Sequence, residues 1–348
     1  MRGRNAAELA TDIERRVADH ELLPGDRLPP VRALADELGL APNTVAAAYR
    51  RLGERGIVVG RGRRGTFVSD RPPVLLPSAP EVREGLGDLA SGNPDPGLLP
   101  DLPAVLRQAD GPVILYGGRS VDERLAEYGA RLFADDGVPA EYLTVVSGGL
   151  DGMERVLQAH LRRGDRVAIE DPAYPPVIDL IGALGLVTVP MAIDDEGPQP
   201  AALDAALGKG VAAVIVTPRA QNPYGSAVSI ERASALRSSL EGFPDVLVVE
   251  DDHAAAVAGA TMNSITGGRE RWATIRSAAK TYGPDIRLAL LAGDQTTVRR
   301  VEGRQRLGPG WVSHLLQRLV VRLIGDEAVD RDVARAAERY AARRRAML

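Results

Sequence analysis

Apolar positions recur at helical spacing from the start of the chain. Leu9, Ile13 and Val17 line one face of a predicted helix over 6–18. A second helix is predicted over 31–38, with Val31, Leu34, Ala35 and Leu38 inward and Gly39 as its stop. Pro42 opens a third, running to about 55 with Val45, Tyr49 and Leu52 inward. Ile57-Val-Val and Thr66-Phe-Val then read as short strands joined by an Arg-Gly-rich turn at 60–65. From residue 89 the period changes. β-rich runs at 142–146, 167–170, 186–190, 211–217, 246–250, 272–276 and 288–292 alternate with helical stretches such as 149–162 and 229–240. That alternation predicts a largely parallel sheet covered by helices, an α/β domain. Residues 311–348 read as helical throughout.

Three segments follow: a small helical unit with a hairpin at 1–70, a Pro-rich linker at 71–88, and the α/β domain at 89–348. The linker carries Pro72, Pro73, Pro77 and Pro80, which makes it semi-stiff. A chain of 348 residues with 45% hydrophobic and 26% charged residues suits a globular protein, not a disordered or fibrous one. It has no Cys, so thiolate chemistry and disulfides are excluded. His20, His160, His253 and His314 lie too far apart in sequence for a local metal motif. No apolar run is long enough to span a membrane and no signal-peptide core opens the chain, so a cytoplasmic protein is expected.

The formal charge of −4 is uneven: residues 1–70 carry 12 Arg against 10 acidic residues, and the remainder is net negative. Two helices joined by a tight turn and followed by a basic hairpin form the plan of a winged helix-turn-helix. In that plan Asn43 and Thr44, at the start of the third helix, reach base edges or phosphates. Arg32 reaches the backbone, and Arg63 and Arg64 of the wing lie along phosphates or in a minor groove. The strings Leu28-Pro-Pro-Val-Arg-Ala-Leu-Ala-Asp-Glu-Leu-Gly39, Asn43–Leu52 and Gly62-Arg-Arg-Gly-Thr-Phe-Val68 together resemble the GntR family of bacterial repressors. Ala41 and Pro42 depart from that family's usual hydroxyl or basic residues, which weakens the cap of the third helix and some of the implied base contacts.

Only two of the 43 basic residues are lysines, Lys209 and Lys280. Arg cannot lose its proton, so chemistry that needs a neutral amine must use one of them. Lys209 sits in a Leu-Gly-Lys-Gly turn and reads as a surface residue. Ligands of open α/β sheets bind beyond the carboxyl ends of the strands. There the chain places Ser147-Gly-Gly, Asp171-Pro-Ala-Tyr174, Pro218-Arg-Ala-Gln-Asn-Pro-Tyr-Gly225, Asp251-Asp-His253, and Ser277-Ala-Ala-Lys280 followed by Arg287. A phosphate cradle, an aromatic plate, an amide, a carboxylate and a lysine are the set that pyridoxal phosphate requires.

This region resembles the fold-type I, class I/II aminotransferases. The whole chain resembles the MocR subgroup of GntR regulators, in which a winged helix is joined to an aminotransferase-like domain that senses pyridoxal phosphate or its amino-acid adducts. The resemblance implies that Lys280 forms an aldimine with the cofactor. Asp251 faces the pyridine nitrogen, with Asp252 in its place if the register slips by one. Asn222 binds the ring hydroxyl and Tyr174 stacks on the ring. Gly148, Gly149, Ser277 and Arg287 hold the phosphate. His253 stands where the family commonly has a Tyr that supports the ring hydroxyl; Tyr224 and Gly149 each replace a hydroxyl-bearing residue, and Ala278 and Ala279 thin a Ser-rich stretch. The implied partners are double-stranded operator DNA, an amino-compound effector and a second copy of the chain. An aminotransferase with an appended DNA-binding domain is the alternative. Against it, the family's small domain, which carries the arginine that clamps a substrate carboxylate, is not found before Leu348. Arg343-Arg-Arg345 fall on an exposed helix and are not expected to replace that arginine.

Overall fold

The computed structural model describes residues 1–69 and 92–347. The expected linker at 71–88 lies outside them. Among the described residues one compact unit gathers 1–69 with 162–165 and 175–188, and the other holds the rest.

In the N-terminal segment three helices, α1 (Ala6–Ala18), α2 (Val31–Leu38) and α3 (Pro42–Glu54), precede strands β1 (Val58–Gly60) and β2 (Thr66–Val68). Local chemistry sets the helix ends. Asn5 accepts the Ala7 and Glu8 amides at the start of α1, and Gly39 ends α2 in the left-handed conformation, φ 64°. α3 begins at Pro42 with no side-chain cap, as Ala41 requires. Leu9, Ile13, Leu34, Val45, Leu52 and Val68 form a closed core. The Tyr49 hydroxyl donates to the Pro29 carbonyl at 2.7 Å, tying α3 to the approach of α2. β1 and β2 pair antiparallel, and Arg27 adds a bridge to Phe67 on the free edge of β2.

Along the rest of the chain come α4 (Leu102–Leu106), α5 (Glu123–Asp135), β3 (Leu143–Val146), α6 (Gly149–His160), β4 (Arg166–Asp171), α7 (Pro175–Ala183), β5 (Val187–Asp194), β6 (Gly197–Pro198), α8 (Pro200–Leu207) and β7 (Ala213–Val216). There follow α9 (Ile230–Glu241), β8 (Leu247–Asp252), β9 (Trp272–Ser277), α10 (Ala279–Tyr282), β10 (Ala289–Gly293), α11 (Gln295–Arg306), α12 (His314–Ile324) and α13 (Glu327–Met347). The sheet order is β3-β10-β9-β8-β7-β4-β5-β6. β4, β7, β8 and β9 run parallel, whereas β10 is antiparallel to both β3 and β9. β7, β8, β9 and β10 are buried along their whole length; β7 and β10 are accordingly near-continuous apolar runs, whereas β8 and β9 begin apolar and end on buried polar residues. The stretch 311–348, expected to be helical throughout, is corrected to two helices, α12 and α13, separated at Gly325 and Asp326, with 311–313 outside them. Gly325 caps α12, and Asp326 accepts the Ala328 amide at 2.8 Å to start α13. No described helix is long and apolar enough to cross a membrane.

Candidate functional site

Strand register brings the expected residues to one sheet edge. Ala289 of β10 pairs with Val146 on one side and Ser277 on the other. The exits of β3 and β9, carrying Gly148, Gly149 and Ser277, therefore flank the entry to β10, which carries Arg287. β8 ends beside β9, with Asp251 opposite Ile275.

Gly148 caps α6 at φ 103°, a conformation that excludes most side chains. A Cβ there would also stand 3.1 Å from an Arg287 guanidinium nitrogen. The exposed Arg287 side chain thus lies over the amino end of α6, where free amides and the helix dipole attract an anion. Ser277 is buried at the exit of β9; its hydroxyl oxygen accepts the Ala279 amide at 3.3 Å.

The two adjacent aspartates have opposite fates because successive strand residues face opposite sides of the sheet. Asp252 is wholly buried and accepts from Arg219 at 2.8 Å and from Arg276 at 2.6 Å. Asp136 shares both guanidiniums, and Arg276 also lies 4.7 Å over the Phe133 ring. Burial pushes Asp252 up, but the two guanidiniums outweigh it and hold the carboxyl below its ordinary range. Asp251 points the other way. Its Oδ1 is buried with no hydrogen-bond partner among the described residues, and a Cβ at Gly149 would stand 3.5 Å from it. Burial raises its pKa, His253 opposes the shift, and Asp252 adds to it. The geometry therefore favours Asp251 over Asp252 as the free carboxylate.

Tyr174 is 41% exposed after β4. Burial raises its hydroxyl pKa, the Asp251 charge adds to the shift and Arg287 opposes it, so the phenol is within electrostatic reach of both. The half-buried Asn222 makes no side-chain hydrogen bond to a described residue. Its loop is anchored by Gln221, which donates to Glu170 at 3.2 Å and to the Pro172 carbonyl at 2.8 Å and accepts the Tyr224 amide at 2.9 Å. Glu170 is buried, which pushes its pKa up to about 7.

Lys280 stands on α10, half-buried, and desolvation lowers its pKa. Its amine donates to the Gly92 carbonyl. It opens into a cavity of about 280 Å³ shared with Gly92, Ala220, Gly225, His253 and Arg344. The His253 Nε2 lies 3.0 Å from the Ala220 carbonyl, so that nitrogen is committed to the backbone. Lys209 is exposed in the turn after α8.

Sequence reasoning missed Gly92, Gln221 with Glu170, and the Arg219–Asp252–Arg276–Asp136 cluster. It also set Arg343–Arg345 apart from the site. Arg343 does pair elsewhere, with Asp95 at 2.6 Å, but Arg344 lines the Lys280 cavity.

At the other end of the chain, Arg32 on α2 and Asn43 at the start of α3 are exposed, and Thr44 is half-buried. Arg63 and Arg64 are exposed in a 3-10 turn, Gly62–Arg64, at the tip of the β1–β2 hairpin. Arg61 packs instead over Phe67, 5.1 Å from the ring centre.

The family "Bacterial regulatory proteins, gntR family" matches residues 5–68, and "Aminotransferase class I and II" matches residues 85–348. The chain is 39% identical to the vitamin B6 salvage pathway transcriptional repressor PtsJ of Salmonella typhimurium, over 98% of this chain and 80% of that protein. It is 30% identical to the HTH-type transcriptional regulator TauR of Rhodobacter capsulatus, over 93% of this chain and 75% of the other. Among solved structures it resembles the kynurenine aminotransferase of Pyrococcus horikoshii, with a TM-score of 0.67 and 22% identity over 74% of this chain and 68% of that one. The larger part thus has the fold of the class I and II aminotransferases, a family that binds pyridoxal phosphate. With a gntR-family DNA-binding domain ahead of an aminotransferase domain, and relatives that match nearly its whole length, this chain belongs to the MocR-type transcription regulators of the GntR family.

Proposed function

We propose that this regulator binds pyridoxal phosphate at the sheet edge built around Lys280, and reads the state of that site out at operator DNA. The observation that carries the reading is the orphaned, buried Asp251 Oδ1 near the end of β8, beside β9, after which α10 carries Lys280. A buried carboxylate without a partner is costly, and a protonated ring nitrogen supplies the missing donor. The Gly148 cradle with Arg287 over it suits a phosphate for the reasons given above. The uncommitted amide of Asn222 suits a ring hydroxyl, and Tyr174 offers a face for the ring. When bound, the cofactor supplies an aldehyde for amines and an electron sink. The protein's part is to lower the lysine pKa by burial, so that more of the amine is neutral and able to attack, and to present at Asp251 a buried acceptor that a protonated ring nitrogen would hold in its charged form. The name of the relative PtsJ places that protein in vitamin B6 salvage, which agrees with a cofactor-sensing role here.

For DNA, α3 enters the major groove with Asn43 and Thr44 foremost, while Arg32, Arg63 and Arg64 hold phosphates. Operators read by such units are usually paired half-sites, so the regulator acts as a homodimer, in the cytoplasm where its DNA lies. The winged-helix domain spans 1–70 and the aminotransferase-like domain begins near 89. The test is borohydride reduction of protein incubated with pyridoxal phosphate, followed by peptide mapping. The label should fall on Lys280, vanish in Lys280→Ala and survive in Lys209→Ala. Equal labelling of both variants would overturn the assignment.

A further inference from the structure

We propose that a second cavity, backing onto the Lys280 cavity across α10, binds a small uncharged ring compound that carries a hydroxyl, and that its occupancy alters Lys280. The regulatory meaning of that link rests on the cofactor reading of Lys280; the binding itself does not. The cavity holds about 210 Å³ and is walled by Leu132 of α5, Leu290 of β10, and Val320 and Ile324 of α12. Two thin walls divide it from the Lys280 cavity. One is α10: Lys280 lines the first cavity, Thr281 and Tyr282 the second. The other is the 3-10 turn Ala255–Val257 with its flanks. There Ala254, Val257 and Ala258 line the first cavity, and Ala255 and Ala256 the second. Ala255 holds φ 44°, a left-handed conformation that an alanine keeps only where its surroundings impose it. Packed walls of this kind transmit displacement, so filling the second cavity bears on the first.

The lining decides what the cavity takes. Its cationic groups are already answered: Arg219 donates to Asp252 at 2.8 Å, and Arg276 donates to Asp252 at 2.6 Å and to the Leu132 carbonyl at 2.7 Å. Asp136 accepts from both guanidiniums. An anion therefore finds no unpaired cation here, and the exposed Asp135 repels it. Asp135 stands in water, which screens it, so it offers a cation little. What remains is an apolar wall and an unanswered group. The Thr281 hydroxyl is buried, and no described residue hydrogen-bonds to it. A buried hydroxyl without a partner is costly, and a ligand hydroxyl can meet it as donor or as acceptor. An apolar cavity of about 150 Å³ accepts benzene. A volume of about 210 Å³ therefore suits one ring with a substituent.

The test uses the full chain without added cofactor, titrated calorimetrically with phenol, toluene and benzoate. Phenol and toluene should bind saturably and benzoate should not. Thr281→Val keeps the side-chain shape and removes the hydroxyl. It should lower the phenol-to-toluene ratio of affinities by about fivefold, the value of one hydrogen bond between neutral groups. Ala256→Phe places a ring at an exposed point of the wall, where it leaves the core intact, and should exclude both ligands. The link to Lys280 is read by reductive methylation with formaldehyde and cyanoborohydride, mapped by mass spectrometry. Phenol should change the rate at Lys280 and leave that of Lys209, the other lysine of the chain, as it was. No saturable phenol binding, benzoate binding as tight as phenol, an unchanged ratio in Thr281→Val, or retained binding in Ala256→Phe would each overturn the site. Equal Lys280 rates with and without phenol would overturn the link. If Thr281→Val does not fold, Ala256→Phe alone decides where the ligand sits. Failure of the chain to take up pyridoxal phosphate would instead remove the cofactor reading and leave the binding result standing.

Discussion

Replacing Asp252 with Asn keeps the shape of a buried side chain and deletes its charge. Asp252 is wholly buried, and Arg219 and Arg276 are each 7% exposed. Among the described residues the two guanidiniums would then have one carboxylate left, Asp136, which takes Arg276 at 2.5 Å and Arg219 at 3.3 Å. Breaking a buried ion pair by removing one partner costs about 3–5 kcal/mol, because the survivors stay desolvated. Asp136 offsets part of that, so the lower figure, about 3 kcal/mol, is expected, roughly a hundredfold in the unfolding equilibrium. Urea unfolding followed by tryptophan fluorescence measures it. Both tryptophans, Trp272 and Trp311, belong to the larger unit, and Trp272 is buried on the strand that carries Arg276, so the signal reports the unit perturbed. With a urea dependence near 3 kcal/mol per molar, the midpoint should fall by about 1 M. Adding Arg276→Met to Asp252→Asn removes one stranded cation and should restore part of the loss. The folded-state pKa of Asp252 is depressed below its ordinary value of 3.8. Its stabilisation is therefore present above that value and lost as pH falls through the folded pKa, so parent and variant should converge in acid. A midpoint shift under about 0.3 M at neutral pH, or a double variant worse than the sum of the singles, would refute the reasoning.

Asp251→Asn should weaken pyridoxal phosphate retention without a comparable loss of stability, because Oδ1 makes no bond to the described protein; dialysis followed by absorbance checks this, and unchanged retention would count against the ring-nitrogen role. Glu250 is fully buried and pushed up to about 7 from an ordinary 4.5, so its contribution is complete below 4.5 and is lost as pH rises through 7. Glu250→Gln should therefore flatten the fall in stability across that window, by an amount on the order of 3 kcal/mol, in thermal melts at pH 5 to 8. Replacing Arg32, Arg63 or Arg64 with Ala should lower the log–log salt slope of operator binding by about 1 each, whereas Asn43→Ala should relax sequence preference; a slope unmoved by all three would remove the phosphate contacts. Single-turnover reaction with amino donors should be slow, and steady-state turnover at roughly 1 s⁻¹ or above would favour the aminotransferase reading.

The parts of the fold that sequence could specify are those governed by neighbours along the chain. Asn5, Gly39 and Pro42 act within one turn of themselves, and α1, α2 and α3 begin and end where they direct. β8 and β9 were legible as apolar runs between polar ends. The antiparallel sense of β10 was not, because a fully buried strand reads the same in either direction. The same limit applies to the site. Asp251 and Lys280 stand at strand exits, a rule that needs only element order. Arg219 and Arg276 reach Asp252 from 33 and 24 residues away, and Asp136 reaches Arg276 across 140, so no local pattern connects them. One sequence signal was available: two adjacent aspartates in a buried strand must face opposite sides, and the one facing inward requires cationic partners.

The bond from the Lys280 amine to the Gly92 carbonyl has a consequence for signalling. A lysine that forms a covalent bond to another group gives up donor hydrogens, so its free and engaged forms cannot hold Gly92 alike. Gly92 is followed at once by Asn93, Pro94 and Asp95, and Asp95 is clasped by Tyr340 and Arg343 of α13. The strip from 92 to 95 is thus fastened at one end by a helix and latched at the other by the amine proposed to take the cofactor. In the sequence that latch sits where the aminotransferase-like domain meets the stretch leading back to the DNA-binding domain. On the proposed cofactor reading, what happens at that nitrogen decides whether a backbone carbonyl is gripped or released, and a mechanical input of that kind needs no catalytic turnover to carry information.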